Sequence, residues 1–276
     1  MERALSDLSG GRVVQPVRVV VPVADHKGFF GVMPAYAGAL GAKLVTFYPA
    51  NTDVHTHHAV IALFKPETGE PLAIMDGRLI TEMRTAAASA VATQHLARAN
   101  ASILAILGSG VQAGSHLEAL RQVRRFSEVR VWSPRNAKAF AERRRVTAAR
   151  SAEDAVRGAD VVVVAVSSKT PVLQGQWLSP GAHINAIGAT RPDWRELDDD
   201  LVTRARVFVD SREAATKESG DVIAAREVVG EIGEVVSGKK PGRSNATEIT
   251  VFKSVGVAVE DVASAALVYE RHAAGT

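Results

Sequence analysis

The chain has 276 residues, of which 46% are hydrophobic and 23% are charged, and its formal net charge is +3 at pH 7. This composition is typical of a soluble globular protein with one large domain or two ordinary ones. The absence of cysteine excludes disulfides, thiolate catalysis and Cys-type zinc sites. The sequence has no apolar run of membrane length and no hydrophobic signal segment, so we expect a cytoplasmic protein without a membrane partner. Basic residues are scattered among acidic ones, and we expect no nucleic-acid partner.

The first part of the chain has the pattern of a sheet. Between residues 16 and 75, four apolar segments have strand character: PVRVVVPV, KLVTFYP, AVIALF and PLAIM. The segment KPETGE separates the last two and suits a hairpin turn. Because no long helical pattern interrupts these strands, we expect a mostly antiparallel sheet, followed by a helix over about residues 76–98. The apolar stripe predicted for that helix consists of Ile80, Met83, Ala87, Val91 and Leu96.

From Ala101 onward, strand and helix patterns alternate. The strand patterns are ASILAILG, EVRVW, ADVVVVAVS, AHINAIG and ARVFVDS, and the clearest helix patterns are VQAGSHLEALRQV and RNAKAFAERRR. This alternation predicts an α/β fold with a doubly wound parallel sheet over residues 99–255 and a smaller domain over residues 1–98. A final amphipathic helix is expected at about residues 256–276, with an apolar face that can pack back on either domain.

A glycine-rich turn follows the first strand of the alternating part. Gly108-x-Gly110-x-x-Ala113 comes after a strand and opens a helix, which is the context of a dinucleotide-binding turn. The first glycine permits the tight turn, the second lets the backbone approach a pyrophosphate, and the small third residue lets helix and strand pack closely. The pattern therefore predicts a nucleotide site, with a purely structural turn as the alternative.

The end of the next strand indicates which nucleotide is bound. An NAD site usually has an Asp or Glu there for the ribose hydroxyls. This chain has Ser133 and Arg135 instead, and a hydroxyl with a guanidinium suits a 2′-phosphate. We therefore expect NADPH to be favoured, with NADH possible as a second cofactor. The alternative is that Arg135 only belongs to the first turn of a surface helix.

Three cations in the first domain are candidates for an anion-binding pocket. Arg18 lies in the first apolar segment, Lys43 begins KLVTFYP, and Arg84 lies in the predicted helix. Each alone could be an ordinary surface charge. Together with a nucleotide domain, they indicate a pocket for a carboxylate, since arginine forks match carboxylates and a lysine can orient a substrate or relay a proton.

The histidines point to no metal site. His55, His57 and His58 are close in sequence, but an apolar strand follows directly, so we expect a loop near the pocket rather than a metal centre. His183 lies in a strand pattern, where a hydrogen-bonded core histidine is the simpler interpretation.

Several segments resemble the ornithine cyclodeaminase/mu-crystallin family. They are GVMPAY, KLVTFYP, MDGRLITEMRTAAASAVAT, LGSGVQAGSHLEAL, PGAHINAIGATRPDWRELDDDL, VDSREAATKESGD and VFKSVGVAVED. Two of them, GATRPDWRELDDDL and FKSVGVAVED, are most similar to the mu-crystallin branch, whose members are NADPH-dependent ketimine reductases. The resemblance implies a homodimer of chains with a Rossmann domain and a smaller α+β substrate and dimerisation domain. It places MERALSDLSGG inside a helix of that smaller domain, and the loop after Trp132 is shorter than in mu-crystallin.

The resemblance also implies roles for individual residues. Arg18, Lys43 and Arg84 match the family's substrate-site cations, and Ser133 and Arg135 match the site of the 2′-phosphate. The implied cofactor contacts are Arg84, Thr85, Gly108, Gly110, Val111, Gln112, Ala113, Ser133, Arg135, Ala165, Val166, Ser167, Ile187, Gly188 and Phe252.

Thr190 is the main departure from the cyclodeaminase pattern. Cyclodeaminases and related alanine dehydrogenases carry an Asp where this chain has Thr190, and a threonine cannot act as that acid or base. The expected activity is therefore that of an oxidoreductase that reduces small cyclic ketimine carboxylates, such as pyrroline- or piperideine-2-carboxylate. Two alternatives stay open, a cyclodeaminase-type lyase and a thyroid-hormone or other small-ligand binding protein. The proton source is unexplained, because three cations disfavour an iminium and no carboxylate lies between Tyr36 and Lys43.

Overall fold

The computed structural model describes residues 1–275. The chain begins with α1 (Glu2–Ser9), β1 (Val19–Val23), β2 (Gly28–Ala37), β3 (Ala39–Phe47), β4 (His57–Phe64), β5 (Pro71–Asp76) and α2 (Gly77–Leu96). It continues with β6 (Ile103–Leu107), α3 (Val111–Val123), β7 (Glu128–Trp132), α4 (Ala137–Arg144), β8 (Thr147–Ala148), α5 (Ala152–Val156) and β9 (Val161–Val164). The remaining elements are β10 (His183–Ala186), α6 (Asp199–Arg204), β11 (Arg206–Val209), α7 (Arg212–Glu218), α8 (Gly220–Ile223), β12 (Val228–Glu231), α9 (Ile232–Val236), β13 (Thr250–Lys253) and α10 (Ala258–Ala273).

The chain forms two compact units. The first consists of Met1–Arg84 together with the chain from Gly256 onward, and the second consists of Thr85–Val255. The assignment of residues 1–98 to a substrate and dimerisation domain and of residues 99–255 to a nucleotide domain stays a prediction.

The first unit contains a five-stranded antiparallel sheet in the order β1-β2-β3-β4-β5. The predicted antiparallel sheet is confirmed, including the hairpin between β4 and β5. Strand β2 is not predicted by the strand patterns, because Gly28, Gly31 and Pro34 interrupt its apolar alternation.

One face of this sheet packs against α10. Met33, Lys43 and Ile61 are register partners on β2, β3 and β4, and all three side chains are buried. Gly41 lies two residues before Lys43 on the same face, and a Cβ there would approach Val262 of α10 to 3.4 Å. The helix therefore covers the sheet closely on the Gly41 side of Lys43.

The second unit contains an eight-stranded sheet in the order β12-β11-β13-β10-β9-β6-β7-β8, and every strand pair is parallel. Strand β9 reads VVVV and is fully buried, as central parallel strands usually are. The chain runs outward from β6 in one direction and from β9 in the other, so the strand order reverses between these two strands. This is the predicted doubly wound Rossmann-type sheet, and ligands in such sheets bind at the carboxyl edge beside the reversal.

The predicted apolar stripe of α2 is only partly correct, since Val91 and Leu96 are buried but Met83 is not. Met83 is 62% exposed in the single chain, whereas Arg84, Ala86, Ala88 and Ser89 are buried. The helix is rich in alanine, and it buries its small side chains because they allow close packing. Within residues 1–275, no helix is both long and apolar enough to cross a bilayer.

Candidate functional site

The glycine turn between β6 and α3 fits a dinucleotide. Gly108 has φ +121°, and a Cβ there would lie 2.4 Å from the Ala165 carbonyl oxygen, so only glycine fits. Gly110 caps α3, and a Cβ there would meet no atom within 4 Å. No side chain caps this helix terminus in the described chain. The turn therefore leaves open space in front of backbone N–H groups, which is the arrangement that binds a pyrophosphate.

The segment after β7 is joined to this turn. The hydroxyl oxygens of Ser133 and Ser109 lie 2.8 Å apart, and the Asn136 N–H donates to Ser133 Oγ over 3.2 Å. Arg135 is exposed in the turn before α4, and no ion pair to it is present within residues 1–275. A hydroxyl and an arginine thus follow β7, as the sequence predicts, but their contact with a 2′-phosphate stays a prediction.

The other predicted cofactor contacts fall into two groups. At the carboxyl edge, Ala165, Val166 and Ser167 follow β9, whereas Ile187 and Gly188 follow β10. Val111, Gln112 and Ala113 form the first turn of α3, Thr85 is buried in α2, and Phe252 is fully buried within β13. The structure therefore places most of these residues where a nucleotide would be expected, and their individual roles stay predictions.

The first unit contains a buried cluster of opposite charges. Lys43 Nζ lies 2.7 Å from Asp261 Oδ2, and Arg84 Nε donates to Asp261 Oδ1 over 2.8 Å. Arg84 Nη1 also donates to Glu260 Oε2 over 2.7 Å. Both acidic residues lie in the first turn of α10, where the helix dipole stabilises carboxylates. All four side chains are at most 6% exposed, so the cluster is a preorganised, desolvated set of charges.

Burial and the neighbouring charges shift the pKa values of Lys43 and Asp261. The pKa of the Lys43 ammonium is lowered to about 7, first by burial and then by the positive charge of Arg84, while Asp261 opposes the decrease. Burial works against the charged form of Asp261 too, but Arg84 and Lys43 hold the pKa of this carboxyl below its usual value. At neutral pH, Lys43 can therefore both hold and release a proton, whereas Asp261 stays ionised.

Arg18 completes the set of predicted cations. It directly precedes β1, and its Nη2 donates to the Gly256 carbonyl over 2.5 Å. A Cβ on Gly256 would lie 2.5 Å from Arg84 Nη1. The Gly256 backbone therefore lies against both arginines, and the structure brings the three predicted cations of the first unit together. Their roles in substrate binding stay predictions.

The carboxylates of Glu260 and Asp261 are not predicted as site residues from the sequence, although both lie in VFKSVGVAVED. The available signal is an acidic pair in the first turn of an amphipathic helix. Their presence corrects the expectation that the three cations have no carboxylate beside them. Asp261 pairs with Lys43 and Arg84, and Glu260 pairs with Arg84.

An aromatic row lies on the inner face of the sheet, on the side of Lys43 away from Gly41. Phe29, Phe47 and His57 are register partners on β2, β3 and β4. The rings of Phe47 and His57 stack with centroids 4.4 Å apart. Desolvation by surrounding atoms and the charges of Lys43 and Arg84 lower the pKa of His57 to about 4, although the side chain is exposed in the single chain, and the ring is neutral at pH 7.

The structure also shows where the other histidines and Thr190 lie. His57 and His58 lie in β4 rather than in a loop, which corrects the loop prediction for these two. Within residues 1–275, no group of three or more metal-ligand side chains is present. His183 is fully buried, with Nδ1 3.0 Å from Thr250 Oγ1, so the core-histidine interpretation is confirmed. Thr190 lies in the loop after β10 and is half-buried.

Sequence and structure comparisons agree with this combination of a nucleotide-binding turn and buried cations. The model of the ornithine cyclodeaminase/mu-crystallin family matches residues 1–276. The ketimine reductase mu-crystallin of Mus musculus is 51% identical over 288 residues, covering 100% of this chain and 91% of the mouse protein. The chain therefore belongs to the ornithine cyclodeaminase/mu-crystallin family.

Two solved structures are similar over their whole folds. A Δ1-pyrroline-2-carboxylate reductase of Thermococcus litoralis, in complex with NADH and L-proline, is 40% identical with a TM-score of 0.94. The match covers 100% of this chain and 92% of that one. An archaeal alanine dehydrogenase dimer with bound NAD is 38% identical with a TM-score of 0.93, covering 100% and 90% of the two chains. The fold and a nicotinamide-dependent class of oxidoreductase are thus supported by both kinds of comparison.

Proposed function

We propose that this protein reduces the C=N bond of small cyclic ketimine carboxylates, such as pyrroline- or piperideine-2-carboxylate, to cyclic amino acids. The observation that carries the proposal is the buried Lys43–Asp261–Arg84 cluster, in a chain whose second unit has a nucleotide-binding turn. The reductase names of the mouse and Thermococcus litoralis relatives favour the same reaction.

The chain's own residues have distinct tasks in this reaction. Bound NAD(P)H supplies the hydride that adds to the imine carbon. Arg18 and Arg84 hold the substrate carboxylate, and a guanidinium has more N–H donors than the two contacts to Asp261 and Glu260 use. Lys43 gives a proton to the imine nitrogen, so that carbon and nitrogen each gain one hydrogen and the product is a secondary amine. Asp261 orients Lys43 and keeps it partly protonated at neutral pH.

The proposed reaction is tested by measuring the net consumption of reduced cofactor. Purified protein is mixed with NADPH or NADH and pyrroline-2-carboxylate, and the loss of absorbance and the formation of proline are measured. We expect equal amounts of oxidised cofactor and amino acid. Release of ammonia from ornithine without net cofactor turnover would instead identify a lyase, and ligand binding without either reaction would identify a binding protein.

We expect NADPH to bind more tightly than NADH, because Ser133 and Arg135 follow β7 in place of a strand-end carboxylate. Losing one charge-assisted contact to the 2′-phosphate costs about 1.5–3 kcal/mol. Arg135→Ala should therefore weaken NADPH by about 10- to 150-fold and leave NADH unchanged. Fluorescence titration of both cofactors measures this, with the exposed Arg121→Ala as a control. Equal NADPH affinity in wild type and Arg135→Ala would contradict the assignment.

A homodimer is the proposed assembly. The outer face of the five-stranded sheet carries Val19, Leu44, Val60 and Ile74, which are 41–77% exposed in the single chain. An apolar face of this kind is characteristic of a protein interface. The archaeal alanine dehydrogenase, with which the whole chain aligns, is a dimer.

Placing a charge on this face should disrupt the dimer. Leu44→Glu would bury an unpaired carboxylate in an apolar interface, so we expect a shift towards monomer at micromolar concentration. Sedimentation velocity measures the shift. Leu267→Glu, at a position on α10 that is 52% exposed, is the matched control and should not change the assembly. A Leu44→Glu variant with the sedimentation behaviour of wild type would exclude this face from the interface.

A further inference from the structure

We propose that Glu196 is a positioning residue for the cofactor site, which holds the loop Gly188–Thr190 at the carboxyl edge of the parallel sheet with the help of Lys253 and Asp221. This inference rests on the proposed binding of a nicotinamide nucleotide at that edge. It assigns a task to a buried ionic group that the chemistry of the first unit does not use.

The three charges form a closed group inside the second unit. Lys253 Nζ lies 2.7 Å from Glu196 Oε1 and 3.2 Å from Asp221 Oδ2. The three side chains are at most 2% exposed. Lys253 is the last residue of β13, which is an interior strand of the sheet. The lysine therefore attaches the two carboxylates to the rigid centre of the unit.

Glu196 transfers this attachment to the loop after β10. Both of its carboxylate oxygens accept from the Gly188 N–H, over 2.9 and 3.0 Å. A Cβ on Gly188 would lie 1.9 Å from the Val166 carbonyl oxygen and 2.6 Å from Glu196 Oε2. The loops after β9 and β10 are thus in direct contact, and Thr190 follows only two residues later.

Asp221 holds the segment that carries Glu196. Its Oδ1 accepts from the backbone N–H groups of Glu196 and Leu197, each over 3.1 Å. Arg195 Nε lies 3.7 Å from the same oxygen. Side chain and backbone of Glu196 are therefore both fixed, so the position of the Gly188 N–H is fixed with them.

The position of the Lys253–Glu196–Asp221 group indicates a role in cofactor binding and not only in the stability of the protein. A buried ion pair often contributes little net stability compared with apolar residues of similar volume. This group, however, contacts the loop after β10, which lies against the loop after β9 at the edge where doubly wound sheets bind nucleotides. We therefore expect its disruption to change cofactor affinity more than a similar carboxylate elsewhere in the sheet does.

Asp160 provides the matched control at the opposite edge. It precedes β9, its Oδ2 accepts from the N–H groups of Ser102 and Ile103 over 2.8 and 3.0 Å, and it pairs with Arg98. Its chemistry is similar to that of Glu196, but it lies at the amino ends of the strands. Asp160→Asn should lower the Tm and leave the Kd for NADPH within about twofold of the wild-type value.

The decisive comparison uses two double variants, Glu196→Gln/Lys253→Met and Glu196→Met/Lys253→Met. Both remove the buried Glu–Lys pair, but only the first keeps an oxygen that accepts from Gly188. We expect the methionine variant to bind NADPH at least tenfold more weakly than the glutamine variant, at a similar Tm. Equal affinities of the two variants would overturn the inference. Ketimine reduction is not used in this measurement, and failure of the wild-type protein to bind either nucleotide would instead overturn the proposed cofactor.

The pH dependence of NADH binding gives a second measurement if the double variants do not fold. Burial and the charge of Asp221 raise the pKa of Glu196 to about 7, against the effects of Lys253 and the Gly188 N–H. Besides these groups, Arg195 is the charged side chain beside Asp221. Below about pH 7, Glu196 gains a proton and becomes a weaker acceptor, so NADH affinity should fall between pH 8 and pH 6. NADH has no 2′-phosphate to titrate, and an affinity independent of pH would then overturn the inference.

Discussion

Replacing Lys43 with methionine is expected to lower kcat/KM for a cyclic ketimine carboxylate by about 100- to 10,000-fold, the usual contribution of a positioned proton donor. Methionine has a similar volume to the lysine stem and keeps the inner face of the sheet filled. It removes the proton donor, while Asp261 retains its contact with Arg84. The measurement is steady-state reduction of pyrroline-2-carboxylate at saturating NADPH.

The pH dependence of wild-type activity and two control measurements also test the role of Lys43 as the proton donor. Lys43 must be protonated to give its proton, and its pKa is about 7, so wild-type activity should fall as the pH rises above about 7. The affinity for NADPH should be unchanged in Lys43→Met, because Lys43 is not one of the residues with an expected cofactor contact. The exposed Lys65→Met variant controls for loss of a positive charge. Activity of Lys43→Met within about threefold of wild type would remove Lys43 from the chemistry.

The parts of the fold that could be predicted from the sequence are those with local signals. The bounds of α3 and β7 agree with VQAGSHLEALRQV and EVRVW, because a glycine turn and clear periodicity define them. The nucleotide-binding turn could be predicted for the same reason. Strand β13 reads TVFK, and its lysine is fully buried. A charged residue in so short a segment gives no strand signal, so β13 could not be predicted from the pattern.

The charge pairing in the candidate site could not be predicted, because it is tertiary. Arg84 and Asp261 are 177 residues apart in the chain, and Lys253 and Glu196 are 57 apart. In sequence, each of these side chains has the appearance of an ordinary surface charge. Only the packing of α10 and β13 shows that they are buried and paired, and this pairing decides which residue can hold a proton at pH 7.

Asp261→Asn is expected to move the alkaline decline of ketimine reduction to lower pH. The Asp261 carboxylate raises the pKa of Lys43 by its charge and by its hydrogen bond, in opposition to burial and Arg84. Without that carboxylate, Lys43 loses its proton at a lower pH, so activity at pH 7 should fall more than activity at pH 6. Removing one partner of a buried ion pair also costs about 3–5 kcal/mol of stability, which urea unfolding measures.

Glu260→Gln is the matched control for this prediction. Glu260 lies beside Asp261 in the first turn of α10 and contacts Arg84, whereas the charge and the hydrogen bond that raise the pKa of Lys43 come from Asp261. Glu260→Gln should therefore destabilise the protein while leaving the alkaline decline close to its wild-type position. The substrate imine also titrates, but its pKa in solution is the same for every variant. A decline that stays at the wild-type pH in Asp261→Asn would therefore assign the titration to the substrate and leave Asp261 without a part in proton transfer.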